Sequence, residues 1–389
     1  GWDRSSPSST RIENDWRKWR VLRVLRISAA HAGRIALQPS RRFFESSSIK
    51  GGRARLEPLL RLPQLQRDRT QMQRDKYFKD FTGHQAVGET GKHFDPRYLA
   101  AKKSIDDRAL NHHVWETLHH TVGQFNDSVP LRILELGSGI GTMLERLVDR
   151  GILTGACEYL ATDMDIEQIR AARDYLSLWA NDRDHNWSPH DVNGGLLSTA
   201  NAAISLTHAQ HSIEEIIEKA ESFGSFELII AHAVLDLVDL STVLPPLISR
   251  LTTRGLAYFS CNFDGETIFL PKLQGDEEII KQYHNSMENR LTGSSRTGRR
   301  LLAMLQQRGL NILAAGSSDW VIHPRKNKYS SDETYFLHTI IETVAREIAK
   351  NEASSEFNSW VRLRHQQVES GQLSFLARHL DILVQHQTS

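Results

Sequence analysis

The spacing of apolar and polar positions changes repeatedly along this chain, and the changes mark elements. The text "LRILELGSGIGTMLERLVDRG", Leu131 to Gly151, is a short apolar run, an acid, three alternating glycines and an amphipathic helical pattern. It predicts a strand, a tight turn and a helix. "CEYLATDMDIEQIRAARDYL" predicts a second strand ending at Asp163, with Asp165 as N-cap of the next helix. A third strand is expected to end near Asp191 in "NWSPHDVNGG", a fourth in "FELIIAH" and a fifth in "LAYFSC". "LNILAAGSSDWVIHP" reads as a sixth strand with Trp320 and His323 at its end. Two helices follow, near Glu333 to Lys350 and Phe357 to Glu369, before a last, antiparallel strand in "FLARHLDILVQ". Strand and helix in alternation predict an α/β fold with a doubly wound, seven-stranded, mostly parallel sheet, N-terminal helices and helical insertions near the C terminus.

The organisation expected is a leader over residues 1–74, an N-terminal helical cover over 75–125, and a main domain over 126–389. That domain carries a substrate-cover insertion at about 264–297, longer than a plain strand-to-helix link, and a helical insertion at about 330–370. The helical insertion is placed to complete the acceptor site or to form a homodimer contact.

Charge changes the picture of the two ends. The formal net charge is +1, but residues 1–74 carry 17 Lys+Arg against 6 Asp+Glu, leaving the rest of the chain at −10. An acidic body argues against a nucleic-acid partner, whose phosphates need a basic footprint. The leader is Ser- and Arg-rich with no sustained apolar period and is expected to be disordered. Three readings of it compete: a targeting presequence, a basic arm for an anionic surface, or an extension without functional weight, favoured because Met72 opens more protein-like text. A cytoplasmic location follows from the last reading, a mitochondrial one from the first. No apolar run approaches the ~18 residues of a membrane span.

The glycine turn carries the chemistry. Glycine alone takes positive φ readily and leaves no Cβ in the way of a close approach, and the helix that follows offers unpaired N–H groups. A dinucleotide fingerprint needs Gly-x-Gly-x-x-Gly, whereas Gly137, Gly139 and Gly141 alternate and Thr142 stands in the expected third place. Glu135, at the strand end, would accept hydrogen bonds from a ligand ammonium and repel a pyrophosphate. Asp163 can accept from ribose hydroxyls, and Asp191 from an adenine amino group, though a plain turn aspartate reads nearly as well. The histidines His112, His113, His119 and His120 share helix faces seven apart, but no carboxylate or cysteine completes a ligand set, and Cys157 and Cys261 lack metal-site spacing. No metal is expected.

Together "ILELGSGIG", "YLATDMD", "HDVN" and "FELIIAHAVLDLVDLSTVLPPLISRLTTRGLAYFSC" resemble the successive cofactor motifs of class I S-adenosylmethionine-dependent methyltransferases, closest in style to small-molecule members. The resemblance covers roughly residues 110 to 264 and implies a Rossmann-like methyltransferase fold, S-adenosyl-L-methionine as cofactor and a small-molecule acceptor. It implies that Glu135, Gly137 and Gly139 hold the methionine end, Asp163 the ribose, Met164 a face of adenine and Asp191 its edge, with Ser138, Gly141 and His232 also among the cofactor-binding residues. One departure is Asp236, which stands where a histidine often follows the fourth strand. On the acceptor side His232, Asp236 and Asp264 are the candidate catalytic groups, and Glu266, Arg296 and Arg299 the candidate substrate contacts, the arginines suiting a carboxylate or phosphate. A nicotinamide-dependent oxidoreductase and a cofactor-binding partner subunit without turnover are the alternatives.

Overall fold

The computed structural model describes residues 95–125, 128–290, 292–349 and 354–387. The basic leader and the aromatic segment that follows it lie outside the described residues.

Two capped helices precede the sheet. α1 (Pro96–Ala109) starts where the Asp95 side chain accepts from Arg97 N–H and proline fills the first turn, whose N–H has no helical partner. α2 (His112–Val122) is capped by Asn111, which accepts from Val114 N–H at 3.1 Å. The alternating units follow as β1 (Leu131–Leu136), α3 (Thr142–Asp149), β2 (Gly155–Asp163) and α4 (Ile166–Asp182). Next come β3 (Asn186–Asp191), β4 (Gly194–Ser198), β5 (Ala202–Gln210), α5 (Ile213–Glu218), α6 (Ala220–Phe223) and β6 (Phe226–His232). A 3₁₀ turn at Leu235–Leu237 leads to α7 (Leu240–Ile248) and β7 (Leu251–Leu270). The chain ends with α8 (Asp276–Glu288), α9 (Thr297–Gln307), β8 (Asn311–Ser317), β9 (Trp320–Ile322), α10 (Ser331–Ala349), α11 (Ser355–Glu369) and β10 (Ser374–Gln385).

The sheet order is β3-β4-β5-β2-β1-β6-β7-β10-β8, with β9 also paired to β10. Five neighbouring strands, β5-β2-β1-β6-β7, are parallel, and β10 closes them antiparallel. The doubly wound α/β architecture is as expected, but with ten strands instead of seven. The surplus has two sources. The segment around Asp191 is an antiparallel hairpin, β3–β4, on the outside of β5, so the third parallel strand is β5 and not the segment that ends at Asp191. The expected sixth strand breaks at Ser318–Asp319 into β8 and β9, each pairing a different part of β10, so that Trp320 begins a strand instead of ending one.

Buried apolar side chains form one layer under α2, α3 and α4 and another under α5, α7 and α9, on opposite faces of the sheet. A third cluster joins the far ends of β7 and β10 to β9, α1, α8, α10 and α11. It exists because β7 runs on past Phe263 to Leu270, where Ser374 pairs with it. The expected cover insertion therefore begins as seven further residues of strand.

Chain order places the reversal between β1 and β6. β2 and β5 lie on one side of β1, β6 and β7 on the other, and such a switch leaves a crevice beyond the carboxyl ends of the strands.

Candidate functional site

Glu135 to Gly141 leave β1 into that crevice. Gly137, Gly139 and Gly141 have φ of 62°, 52° and 82°, the left-handed region that costs other residues roughly 1–2 kcal/mol each. A Cβ on Gly137 would lie 2.6 Å from Val234 Cγ2, and one on Gly139 would lie 2.8 Å from Leu99 Cδ1 of α1. The space the glycines leave is thus taken by walls of the same chain, which close over the turn from β6 and from α1.

Beneath the turn, Glu135 is 2% exposed, and its carboxylate accepts from the Tyr159 hydroxyl at 2.7 Å. No ion-pair partner reaches it among the described residues. Burial pushes its pKa up to about 8, against the lowering effects of the Tyr159 bond and the Arg146 charge. Ser138, also buried, keeps its hydroxyl oxygen without a hydrogen-bond partner. Asp163 ends β2 and accepts from Gly139 N–H and Asp165 N–H, both at 2.9 Å. Met164 follows with 44% of its surface exposed, high for an apolar side chain beside a turn. The fold therefore brings together Glu135, the glycines, Ser138, Asp163 and Met164.

It does not bring Asp191 to them. That residue ends β3, two strands outside β5, where it pairs with Gly194, and its carboxylate accepts from Asn193 N–H at 2.6 Å. The position sequence reasoning assigned to it is held by Gln210 and His211 at the end of β5. Gln210 Nε2 donates to Met164 O at 3.3 Å, and His211 N–H donates to Asp163 O at 3.0 Å.

Across β1, His232 ends β6 with both ring nitrogens engaged. Nδ1 lies 2.9 Å from Ser260 Oγ, and Nε2 lies 3.0 Å from Asp106 Oδ2. Burial lowers its pKa to about 4, opposing the Asp106 charge, so the ring is neutral. Asp106 comes from α1 and was not anticipated. It receives Lys102 Nζ at 2.6 Å and Trp320 Nε1 at 3.0 Å, with Arg146 at 3.5 Å. Burial alone would raise its pKa, but Lys102 and His232 hold it well below the usual carboxylate range. The signal in sequence was "KKSIDDR", whose Lys102–Asp106 and Lys103–Asp107 pairs lie at i,i+4 on one face. Asp106, His232 and Cys261 offer ligand atoms within 4.8 Å of one another. Lys102 and Arg146 already satisfy that carboxylate and oppose a further cation, and burial holds the Cys261 thiol protonated.

Two residues here have positive φ without being glycine: Ala233 at 51° and Cys261 at 52°. Ala233 N–H donates to Ser260 O at 2.8 Å, so one strained position follows the end of β6 and the other lies beside it within β7, as often happens around functional sites.

Beyond the end of β6, Asp236 is half-buried and accepts from Phe263 N–H at 3.0 Å. Burial pushes its pKa up to about 7, against the lowering effects of the Thr297 and Phe263 hydrogen bonds. Asp264 and Arg299 correct the sequence reading. Arg299 donates from Nε at 2.8 Å and from Nη2 at 3.0 Å to the two Asp264 oxygens, and its backbone N–H adds a third bond. That fork ties α9 to β7 and leaves neither group free. Glu266 is half-exposed and faces Arg378 at 3.4 Å. Arg296 has no ion-pair partner among the described residues. It lines an open groove of about 560 Å³ between β7 and α8, together with Gly265, Thr267, Phe269, Ile280 and His284. His284 stacks edge-on against Phe263 at 5.4 Å, and the backbone N–H of the same Phe263 is the one Asp236 accepts from. The four histidines of α2 are exposed; His112 faces Glu116 at 3.4 Å and His120 bonds Gln124. Among the described residues no helix is long and apolar enough to cross a membrane.

The residues at the turn fit a ligand with a cationic amine and a hydroxylated sugar: a desolvated, unpaired carboxylate, an unpartnered buried hydroxyl and a second acid at the neighbouring strand end.

No family model and no curated protein matches the chain. Solved structures do. A candidate methyltransferase of Bacillus halodurans C-125 is 10% identical, over 69% of this chain and 97% of its own, with a TM-score of 0.39. The cyclopropane synthase MmaA2 of Mycobacterium tuberculosis is 7% identical over 69% and 82%, at 0.35. The geranyl diphosphate C-methyltransferase of Streptomyces coelicolor A3(2), solved with Mg2+, geranyl diphosphate and S-adenosyl-L-homocysteine, is 11% identical over 69% and 75%, at 0.34. These are distant likenesses, and the functional reading rests on the geometry of the site.

Proposed function

We propose that this chain is a class I S-adenosylmethionine-dependent methyltransferase acting on a small-molecule acceptor. The observation that carries the reading is Glu135: a buried carboxylate with no ion-pair partner among the described residues, at the carboxyl end of the first strand and two residues before the first of three left-handed glycines. Burying an unpaired carboxyl is costly, and a ligand ammonium removes the cost by restoring its charge and giving it a partner. A pyrophosphate at the same place would be repelled, which disfavours a nicotinamide cofactor.

Bound there, the cofactor supplies an electrophilic methyl on a sulfonium. The chain's own residues do the rest. Glu135 and Ser138 hold the amino-acid end, Asp163 accepts from the ribose hydroxyls, and Met164 with Gln210 borders the base. His232, neutral and held at both nitrogens, is a wall of the site. Asp236 is the general base: a pKa near 7 suits proton removal at neutral pH, whereas the Asp264 carboxylate is occupied by Arg299. The groove between β7 and α8 takes the acceptor, with Arg296 facing any carboxylate or phosphate it carries. Holding acceptor and methyl in line supplies much of the acceleration in such a displacement.

The test is transfer of label from methyl-tritiated S-adenosylmethionine into a metabolite extract. Asp236→Asn is expected to abolish the labelled product and Arg296→Ala to weaken acceptor binding. Cofactor binding with no label in any metabolite fraction would overturn turnover and favour a partner-subunit role.

A further inference from the structure

Lys102, in the middle of α1, is only 6% exposed, although a lysine is almost never buried unless it is paired. Its ammonium has three N–H donors. One goes to Asp106 Oδ2 at 2.6 Å, and the other two have no hydrogen-bond partner among the described residues. The nitrogen lies 5.1 Å from the centre of the Trp320 ring. Its charge reaches three more groups at the strand ends. Burial lowers the His379 pKa to about 4 and Lys102 adds to the effect; at His232 burial does the same, with Asp106 opposing and Lys102 adding. At Asp236 burial raises the pKa to about 7, while the Thr297 and Phe263 hydrogen bonds and Lys102 oppose it. Asp236 and Lys102 thus feel each other's field, yet no ion pair joins them among the described residues. A half-buried acid without a counter-ion faces a buried cation with unused donors, and both are costly unless a third group lies between them.

We propose that Lys102 is an acceptor-binding residue that holds the acceptor's oxygen as an oxyanion, so that the acceptor is a phenol or an enol and not an amine. The proposal rests on the methyltransferase reading and names the acceptor class of that same site. The hydroxyl proton passes to the Asp236 carboxylate, and the negative charge left on oxygen is held by the unused Lys102 N–H donors, a charge-assisted pair. The oxygen, or the enol carbon conjugated to it, then bonds to the methyl as the sulfur–methyl bond breaks and its electron pair stays on sulfur. Lys102 keeps its proton throughout. The cation selects the nucleophile: an amine becomes positively charged on methylation, which an ammonium beside it opposes, whereas an oxyanion becomes neutral. Asp106, four residues on along the helix, fixes the ammonium beforehand, as an oxyanion donor requires. A wall of rings joins Lys102 to the groove between β7 and α8: His284 touches Phe263 at 5.4 Å, Phe263 touches His379 at 5.6 Å, and His379 touches Trp320 at 4.2 Å. A flat aromatic or enolic body suits such a wall.

The experiment uses para-nitrophenol, whose phenolate absorbs visible light and whose phenol does not. It is titrated into the full-length protein saturated with S-adenosylhomocysteine, at a pH where the free probe is mostly protonated. The unaltered chain is expected to bind it as phenolate, with visible absorption that grows on binding. Lys102→Met should lose that absorption, and so should Lys102→Gln, which keeps a donor for Asp106. Both variants should retain the affinity for S-adenosylhomocysteine, which misfolding would remove. In the label-transfer assay the product should carry its methyl on oxygen or carbon, and Lys102→Met should lower its yield at least about 10²-fold, the effect of removing one oxyanion donor. Equal phenolate absorption in the unaltered chain and in Lys102→Gln would overturn the proposal, as would a labelled N-methyl product. Either result, with S-adenosylhomocysteine still bound, leaves the methyltransferase reading standing; absence of S-adenosylhomocysteine binding by the unaltered chain removes that reading and this proposal with it.

Discussion

The two sides of the crevice are built differently. On the side of β1 and β2, buried polar groups lack part of their partners among the described residues: Glu135 has the Tyr159 hydroxyl but no ion pair, and the Ser138 hydroxyl has no hydrogen-bond partner. On the side of β7, charged groups are paired within the chain: Asp264 takes the whole fork of Arg299, and Glu266 faces Arg378. Unsatisfied buried groups cost stability and persist where a ligand completes them. Paired groups hold elements in place. Asp236 is the exception on the second side, raised towards neutrality by burial, with no ion pair among the described residues.

That contrast can be broken at several points. The largest effect is expected from Asp236→Asn, which should lower kcat by at least about 10²-fold, within the range general bases contribute. The same group sets the pH dependence: activity should rise with pH through about 7 as Asp236 loses its proton, and the variant should lose that limb.

Gly137→Ala comes next. It forces a side chain into the left-handed region and against Val234, a cost of at least about 1–2 kcal/mol from the backbone alone. Cofactor affinity should fall at least tenfold, measured by titration, with the circular dichroism of the folded chain retained.

Glu135 gives a stability prediction with a definite sign. Its folded pKa is raised from the ordinary 4.5 to about 8, so the folded state binds the proton more tightly than the unfolded one. The resulting stabilisation is present below pH 4.5 and is lost as pH rises towards 8. Asp236, raised from 3.8 to about 7, acts in the same direction. Without ligand, the unfolding temperature should fall between pH 5 and pH 8, and Glu135→Gln should flatten that fall.

Smaller effects are expected on the paired side. Arg299→Ala leaves the Asp264 carboxylate buried beside a half-exposed gap and should cost about 1 kcal/mol in chemical denaturation, since water reaches the arginine. Glu266→Ala, at a half-exposed pair, should change stability by less than about 0.5 kcal/mol.

The difference between the two sides also governed what could be read from sequence. The glycine turn was legible because local chemistry dictates it: strand, acid and glycines are contiguous, and Asp163 follows at the end of the next strand. Asp165 was legible as an N-cap for the same reason, and its side chain does accept from Glu167 N–H. Asp191 misled because β3–β4 is an added edge hairpin. "HDVN" has the composition of a strand end, but the third parallel strand is "AAISLTHAQ", whose alternation resembles an ordinary surface strand. The pairing of Asp106 with Lys102 was open to a helical reading of "KKSIDDR", but its place in the site was not, because His232 and Trp320 are 126 and 214 residues away and only the fold brings them together. The Asp264–Arg299 pair was hidden likewise: both residues were seen as candidate site groups, but their mutual contact across 35 residues is a tertiary fact.

The central claim, that the turn from Glu135 to Gly141 holds a sulfonium cofactor, is tested most directly by calorimetric titration of the unaltered chain and of Glu135→Gln with S-adenosylhomocysteine and, separately, with NAD. The account predicts one S-adenosylhomocysteine per chain, binding at least tenfold weaker in the variant, and no comparable affinity for NAD. Tight NAD binding with none of S-adenosylhomocysteine would contradict it.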